Sequence, residues 1–403
     1  MKNRNKIFAV VLALACCTAL SAPAAPQGAP AATAAPQAPV CKGEIAKPAE
    51  YMKLVKVTDG LYAMRCTGNE PKSLLPYPPP QTVAGRRTGG CATAVNGNLM
   101  GRNMDFIINN CPYIVLWTDH GDDHYASISM ASYPIDGSNN PLEDVQYVDY
   151  SKLDDPAQVA KIPEMALDGV NERGVAVSTL MVEALDANNT QKGTNPGKPE
   201  IGFYFVCRYV LDHAGSAREA VELLQNANIV NKPVNGVLHW IISDGKDTFV
   251  VEVSEDRVHV SDRHRVITNY LLTKPQLTPH PYGIERADYL RKHLGEADTP
   301  DKMQALMRDV RYSQTYSRDT EPFWWSEHYG VDSGSDFTIN TPHDDPAFQA
   351  SITELVEAAK VVTTSSNPLV VWDTSYSTVY DIAKKALRIT MHEHFGEYFK
   401  AKL

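Results

Sequence analysis

The residues that could do chemistry are most concentrated at one short run, Gly89, Gly90, Cys91, Ala92 and Thr93. A hydrolytic cysteine needs a thiol that gives up its proton, a group that takes it, and donors for the oxyanion formed when an amide carbonyl is attacked. Papain-like enzymes take the proton on a histidine, but the residues after Cys91 lack the aromatic signature of that group. The Gly90–Cys91 junction suggests another solution. Cleavage of that peptide bond would free the α-amino group of Cys91, which titrates at about pH 7.7–8.0 and can serve as general base for its own thiol. No catalytic histidine is then needed.

The elements around this run must hold it in place. A strand pattern over Ala92 to Val95, the turn pair Asn96 and Gly97, and a second strand ending near Met104 predict a β-hairpin. Arg102 falls on its second arm, across from Cys91, where a permanent positive charge favours thiolate. Asp105 stands out among the apolar residues that end the same arm. Further strands are expected at Tyr113 to Thr118, His124 to Met130, Val175 to Val182, Leu238 to Ser243 and Phe249 to Val253. Helices are expected at Phe203 to His213, Ala217 to Gln225, Ile284 to Leu294 and Asp301 to Val310, the last opened by Thr299 and Pro300 as cap and first turn. Strands return at Leu369 to Trp372, Ser377 to Ile382 and Ala386 to Met391. Before the hairpin, Met52 to Cys66 reads as a short helix or strand, and Glu70 to Arg87 as a loop. Strands, then helices, then strands predict an α+β fold in which helices cover two mostly antiparallel sheets, a four-layer αββα sandwich.

Composition bounds the rest. The 403 residues are 43% hydrophobic, enough for a full core, and the net charge of −10 without a Lys/Arg cluster argues against a nucleic-acid partner. Lys2, Arg4 and Lys6, the apolar run Ile7 to Ala15 and the small residues Ala19 to Ala24 read as an export signal over 1–24, which predicts a periplasmic or secreted protein. Cys16 and Cys17 raise lipidation, the one route to a membrane, although the residues before each make a poor lipobox. Residues 25–90 read as a Pro/Ala-rich linker and propeptide, and 91–403 as the catalytic domain. After the signal, Cys41, Cys66, Cys91, Cys111 and Cys207 remain. An odd count in an oxidising compartment leaves one thiol over, and pairing Cys41 with Cys66 and Cys111 with Cys207 would leave Cys91 free.

Several motifs follow in one order: Gly90-Cys91-Ala92-Thr93; Gly101 to Phe106, reading GRNMDF; Asp168 to Gly174, reading DGVNERG; Val266 to Asn269, reading VITN; and Val379 to Asp381 with Leu387 to Ile389. Together they resemble the choloylglycine hydrolase and penicillin V acylase family, and equally the related acyltransferases that make penicillins from acyl-coenzyme A. The resemblance covers roughly Cys91 to Met391. It implies the αββα sandwich, autocatalytic exposure of Cys91 and hydrolysis of a nonpeptide linear amide C–N bond, with no cofactor. By the same resemblance Cys91 is the nucleophile, Arg102 acts beside it, and Asp105 holds its amine. Asn269 donates to the oxyanion, and Asn171 is a second donor or binds substrate. Arg286 corresponds to a later Arg near the thiol, although its place at a helix start suits a surface salt bridge nearly as well. One departure is that Tyr270 and Leu271 follow Asn269, where the family commonly has a proline shortly after.

No zinc signature is matched by His392, Glu393 and His394 or by His120, Asp122, Asp123 and His124, so no metal is expected. Phe323, Trp324, Trp325 and Tyr329 suit either an apolar acyl pocket or core packing. The expected partner is a small-molecule amide with an apolar acyl group, and a homo-oligomer is left open. Two-step acyl transfer allows an acyltransferase as the alternative to a hydrolase, and a noncatalytic exported binding protein of the same fold is a further one.

Overall fold

The computed structural model describes residues 38–70, 90–107, 112–134, 150–182, 193–230, 237–254, 256–273, 282–311, 313–317 and 369–403. The export signal, Cys16, Cys17, Cys111 and the aromatic run from Phe323 to Tyr329 lie outside them.

In chain order the first strands are β1 (Val40–Glu44), β2 (Val55–Thr58), β3 (Leu61–Cys66), β4 (Gly90–Asn96), β5 (Leu99–Ile107), β6 (Tyr113–Thr118) and β7 (Ser127–Ser132). After a short helix, α1 (Pro156–Val159), come β8 (Ala166–Asn171), β9 (Ala176–Val182) and β10 (Glu200–Gly202). Helices α2 (Val206–His213) and α3 (Ala217–Asn226) precede β11 (Asn228–Val230), β12 (Val237–Ser243), β13 (Thr248–Ser254), β14 (Arg257–Ser261) and β15 (Val266–Ile267). Helices α4 (Tyr282–His293) and α5 (Pro300–Asp309) are followed by β16 (Ser313–Ser317), β17 (Leu369–Asp381), β18 (Ala386–Met391) and β19 (Glu397–Lys402).

Two large sheets result. The first runs β1-β19-β18-β17-β5-β4-β15, with β16 also on β17; the second runs β14-β13-β12-β9-β8-β7-β6-β3-β2. Within them only β1 with β19 and β3 with β6 pair in parallel among the described residues. Leu61, Leu116, Met130, Tyr376 and Ile389 belong to one buried cluster contributed by both sheets, so the sheets pack face to face. Helices α2 and α3 pack on the outer face of the second sheet through Val206, Val210, Ala220 and Trp240. Helices α4 and α5 pack on the outer face of the first through Ala287, Leu290, Met303 and Met307. This is the four-layer αββα arrangement. No helix among the described residues is long and apolar enough to cross a membrane.

Local chemistry explains the elements that matter for the site. The turn from β4 to β5 falls where Gly97 takes a positive φ of 56°, which glycine enters without the Cβ penalty. Helix α5 begins as expected: the Thr299 side chain accepts from the Lys302 amide at 3.3 Å, with Pro300 in the first turn. Its axis lies close on β5, where a Cβ on Gly101 would come 2.8 Å from Met303 Sδ, and Asn103 Nδ2 donates to the Met307 carbonyl at 2.8 Å.

Within the segment read as linker and propeptide, residues 38–70 are folded chain that adds a strand to the first sheet and two to the second. Leu61, Ala63, Met64 and Cys66 are almost fully buried, so apolar burial places β3 in the core despite the flanking proline-rich composition. The fold corrects two other expectations. The two closing strands expected at Leu369 to Trp372 and Ser377 to Ile382 are one long strand, β17, bent by an irregularity between Thr374 and Tyr376. Cys41 and Cys66 do not pair: Cys41 is exposed on β1 of the first sheet, whereas Cys66 is buried in the second sheet, 3.3 Å from Thr118 Oγ1. Cys207 is a free, buried thiol, and its expected partner Cys111 lies outside the described residues.

Candidate active site

Cys91 is the second residue of β4, with Met104 directly opposite on β5 and Arg102 opposite Thr93. Strand alternation puts Cys91 and Thr93 on the face that meets the second sheet, where Thr93 Oγ1 lies 2.9 Å from Ser178 Oγ of β9. Cys91 is 4% exposed. Its thiol lies 3.8 Å from Met104 Sδ, and its backbone N–H donates to Asn269 Oδ1 at 2.8 Å.

Asn269 stands just after the short strand β15, which pairs with β4 at Ala94 and Thr93. This edge pairing brings a residue 178 positions along the chain against the Cys91 backbone. The Asn269 amide nitrogen donates to the Met181 carbonyl of β9 at 2.8 Å, so one side chain bridges the ends of the two sheets at the thiol.

Arg102 is buried and held on several sides. Its guanidinium donates to the Thr179 carbonyl at 3.1 Å and to Tyr376 Oη at 2.5 Å, with Asp168 Oδ2 3.1 Å from its Nε. Asp168 in turn accepts from Tyr376 Oη at 2.6 Å and Tyr380 Oη at 2.5 Å. Burial opposes the Arg102 charge, but Tyr376, Asp168 and Cys91 more than offset that and keep it protonated.

Asp105 and Arg286 form the second buried pair. Arg286 Nη2 donates to Asp105 Oδ2 at 2.7 Å, and Thr374 Oγ1 donates to Asp105 Oδ1 at 2.7 Å. Arg286 is 3% exposed, which excludes the surface salt bridge considered for it. Burial pushes the Asp105 carboxyl up, and Arg286, Thr374 and Arg102 only partly counter it.

These charges bear on the thiol. Burial pushes Cys91 above its ordinary value, Arg102 pulls it down, Asp105 adds to the rise, and the Met181 backbone and Arg286 pull it down again. Arg102 therefore acts in the expected direction but does not prevail, and with the Gly90–Cys91 bond intact the thiol is held protonated. None of the groups named around Cys91 is a histidine.

Asn171 is not brought to this cluster. Its amide nitrogen donates to the Leu211 and Ala214 carbonyls at 3.1 and 2.8 Å, closing the end of α2, and its oxygen accepts from the Arg173 and Val175 amides. Both ends of the side chain are used in a turn and a helix cap, so its expected role as donor or substrate ligand is replaced by a structural one. Sequence reading also missed Met181, whose backbone reaches the thiol, because a main-chain donor leaves no mark on residue type. It missed Thr374, Tyr376 and Tyr380 as partners of Asp105 and Asp168; the alternation of Thr374, Tyr376, Thr378 and Tyr380 on one strand was the available signal. Among the described residues, no group of three or more His, Cys, Asp or Glu is placed to hold a metal.

Residues 91–277 match the sequence profile of the linear amide C–N hydrolases, choloylglycine hydrolase family. The bile salt hydrolase/transferase of Clostridium perfringens is 36% identical over 110 residues, 25% of this chain and 32% of that protein. The conjugated bile acid hydrolase of Lactobacillus acidophilus is 31% identical over 93 residues, 22% of this chain and 29% of that one. The chain thus spans about a third of the length of these relatives. The structure of penicillin V acylase from Agrobacterium tumefaciens aligns over 75% of this chain and 82% of that one, with 17% identity and a TM-score of 0.35. The profile match begins on Cys91 and takes in Arg102, Asp105 and Asn269, and over residues 91–277 the chain is similar to the choloylglycine hydrolase family of linear amide C–N hydrolases.

Proposed function

We propose that this protein is an exported cysteine hydrolase that cleaves itself between Gly90 and Cys91 and then uses the freed residue to cut a nonpeptide linear amide with an apolar acyl group. One observation carries the reading: the Cys91 backbone nitrogen and thiol lie among Asn269, Arg102 and the Asp105–Arg286 pair, and no group named around them is a histidine that could take the proton. The α-amine of a processed Cys91 fits that role, since it titrates at about pH 7.7–8.0.

In the scheme, the amine accepts the thiol proton and the thiolate attacks the carbonyl carbon. In this reading the oxyanion takes the second hydrogen of the Asn269 amide, whose first is given to the Met181 carbonyl, and the Met181 backbone N–H, and preorganised donors of this kind contribute about 10²–10³ in rate. The ammonium of Cys91 then protonates the departing amine. Water, activated by the same amine, hydrolyses the thioester. Arg102 stabilises the thiolate, and Asp105 orients the new amine once Arg286 shares it. An amine that replaces water as the second nucleophile would give acyl transfer, the second activity in the name of the Clostridium perfringens hydrolase/transferase. Bile-salt conjugates and penicillin V are the amides to screen first, on the names of the relatives and neighbour.

The test is N-terminal sequencing and intact mass of the protein expressed with residues 1–90, beside a Cys91→Ala variant. Wild type that yields a chain beginning at Cys91, with a variant that stays whole and turns over no amide, is the expected result. Normal turnover by Cys91→Ala would sink the scheme, and two proteins that both keep residues 38–90 joined to Cys91 would favour a binding protein of the same fold.

A further inference from the structure

The stretch that carries Asn269 is anchored by groups on other elements. His239 of β12 and Glu252 of β13 stand directly opposite each other in the second sheet, and both are buried. His239 Nε2 lies 2.7 Å from the Thr268 carbonyl oxygen, and Nδ1 lies 3.3 Å from Glu252 Oε1. A carbonyl can only accept, so Nε2 carries a proton, and the pair holds a further proton between Nδ1 and Oε1. Glu252 also takes the far side of the loop: Oε1 accepts from the Leu272 amide at 2.7 Å, and Oε2 accepts from the Thr273 amide at 3.0 Å and its hydroxyl at 2.8 Å. From the first sheet's side, Thr268 Oγ1 donates to the Gly283 carbonyl at the start of α4.

Asn269 therefore sits between two fixed points, Thr268 and the Leu272–Thr273 pair. A proline at 272 or 273 would stiffen the same loop but would remove an N–H that Glu252 accepts. We infer that His239 and Glu252 are positioning residues: by pinning the chain on both sides of Asn269 they set where its amide stands relative to Cys91. The inference rests on the reading of Asn269 as a donor at the Cys91 site. His239 is not the general base of a thiol–imidazole pair, because both of its ring nitrogens are engaged by Thr268 and Glu252.

A double-mutant cycle on the full-length protein tests this. Glu252→Gln and His239→Gln are made alone and combined with Asn269→Ala, and each is followed by the rate of cleavage before Cys91 and by kcat and KM for a glycine-conjugated bile salt and penicillin V. Displacing a reacting group by about 1 Å can cost on the order of a hundredfold. The expected result is a fall in kcat of up to that size in each single variant, with KM and the shape of the pH–rate profile little changed. Adding either substitution to Asn269→Ala should produce no further loss. If one glutamine variant fails to fold, the other carries the cycle, and Thr273→Val, which removes one hydroxyl bond to Glu252, gives a milder third.

Equal losses in the presence and absence of Asn269 would overturn the inference and leave the pair a purely structural one. Loss of the amine-type pH profile in His239→Gln would make it a base and overturn the inference as well. Full activity in Asn269→Ala alone would remove the residue the pair is said to position. Wild type that neither cleaves itself nor turns over an amide would instead refute the functional reading, and the inference with it.

Discussion

Arg286 reaches from α4 through the outer face of the first sheet to donate to Asp105 at 2.7 Å, so the helical layer supplies the counter-charge for a carboxylate buried one residue along β5 from the partner of Cys91. Both members of the pair are nearly inaccessible to water. In such a setting the charges are tolerated because they meet each other, and removing one takes from the other its hydrogen-bonded counter-charge.

Arg286→Ala should accordingly destabilise the protein by about 3–5 kcal/mol, the cost of a broken buried pair, and Asp105→Ala by a comparable amount. The double variant should lose less than the sum of the two. Denaturant unfolding of all three at neutral pH measures this, and additive losses would show that the residues do not act as a pair.

Before cleavage, Cys91 should be a poor nucleophile. Its thiol is buried and held above its ordinary value of 9.0, so little thiolate forms at neutral pH. In Gly90→Pro or another uncleaved variant, iodoacetamide at pH 7 should label the exposed Cys41 and spare Cys91, with mass mapping as the readout. Labelling of Cys91 as fast as Cys41 would contradict the geometry of the closed site.

The loop around Asn269 should weaken in acid. Burial raises Glu252, but the hydrogen bond and charge of His239 and the amides of Leu272 and Thr273 outweigh it and hold the carboxyl below its ordinary 4.5. A group whose folded value is depressed contributes stability above its unfolded value and loses it as pH falls through the folded one. The stability difference between wild type and Glu252→Gln should thus be full at neutral pH and shrink as pH drops below 4.5. Urea titrations from pH 7 to 3 that show a constant difference would count against an ionised Glu252.

If the chain is cut before Cys91, residues 38–70 should stay with the remainder. Strand β3 lies between β2 and β6 inside the second sheet, and burying Leu61 and Met64 alone contributes roughly 3–6 kcal/mol. The two pieces should co-elute in native size exclusion and separate only in denaturant. A native mass showing only residues 91–403 would mean that the second sheet closes in another way.

Much of this was legible in sequence where one residue type answers one local demand. The Asn96-Gly97 turn, the Thr299-Pro300 cap and the strand Tyr113 to Thr118 follow from short-range pattern, whereas Arg102 and Asp105 stood out through the family resemblance of Gly101 to Phe106, Asp105 also as a charge among apolar residues. Strand β8 was not legible, since a buried strand carrying Asp168, Gly169 and Asn171 is sustained only when Arg102, Tyr376 and Tyr380 come from elsewhere to satisfy Asp168. Asn171 misled for the same reason in reverse: an asparagine that closes a helix end looks, in one dimension, like one that meets a substrate. His239 and Glu252 alternate correctly for strands, but their cross-strand pairing and their hold on Thr268 and Leu272 exist only in the assembled sheet.

The place of β3 also bears on how the protein is best produced. A recombinant chain that begins at Cys91 would leave β6, whose six residues are all buried, as a bare outer strand with unpaired amides and carbonyls. An apolar edge of that length is a template for a neighbouring copy, so such a chain should precipitate or pair edge to edge, and supplying residues 38–70 as a separate peptide should keep it in solution.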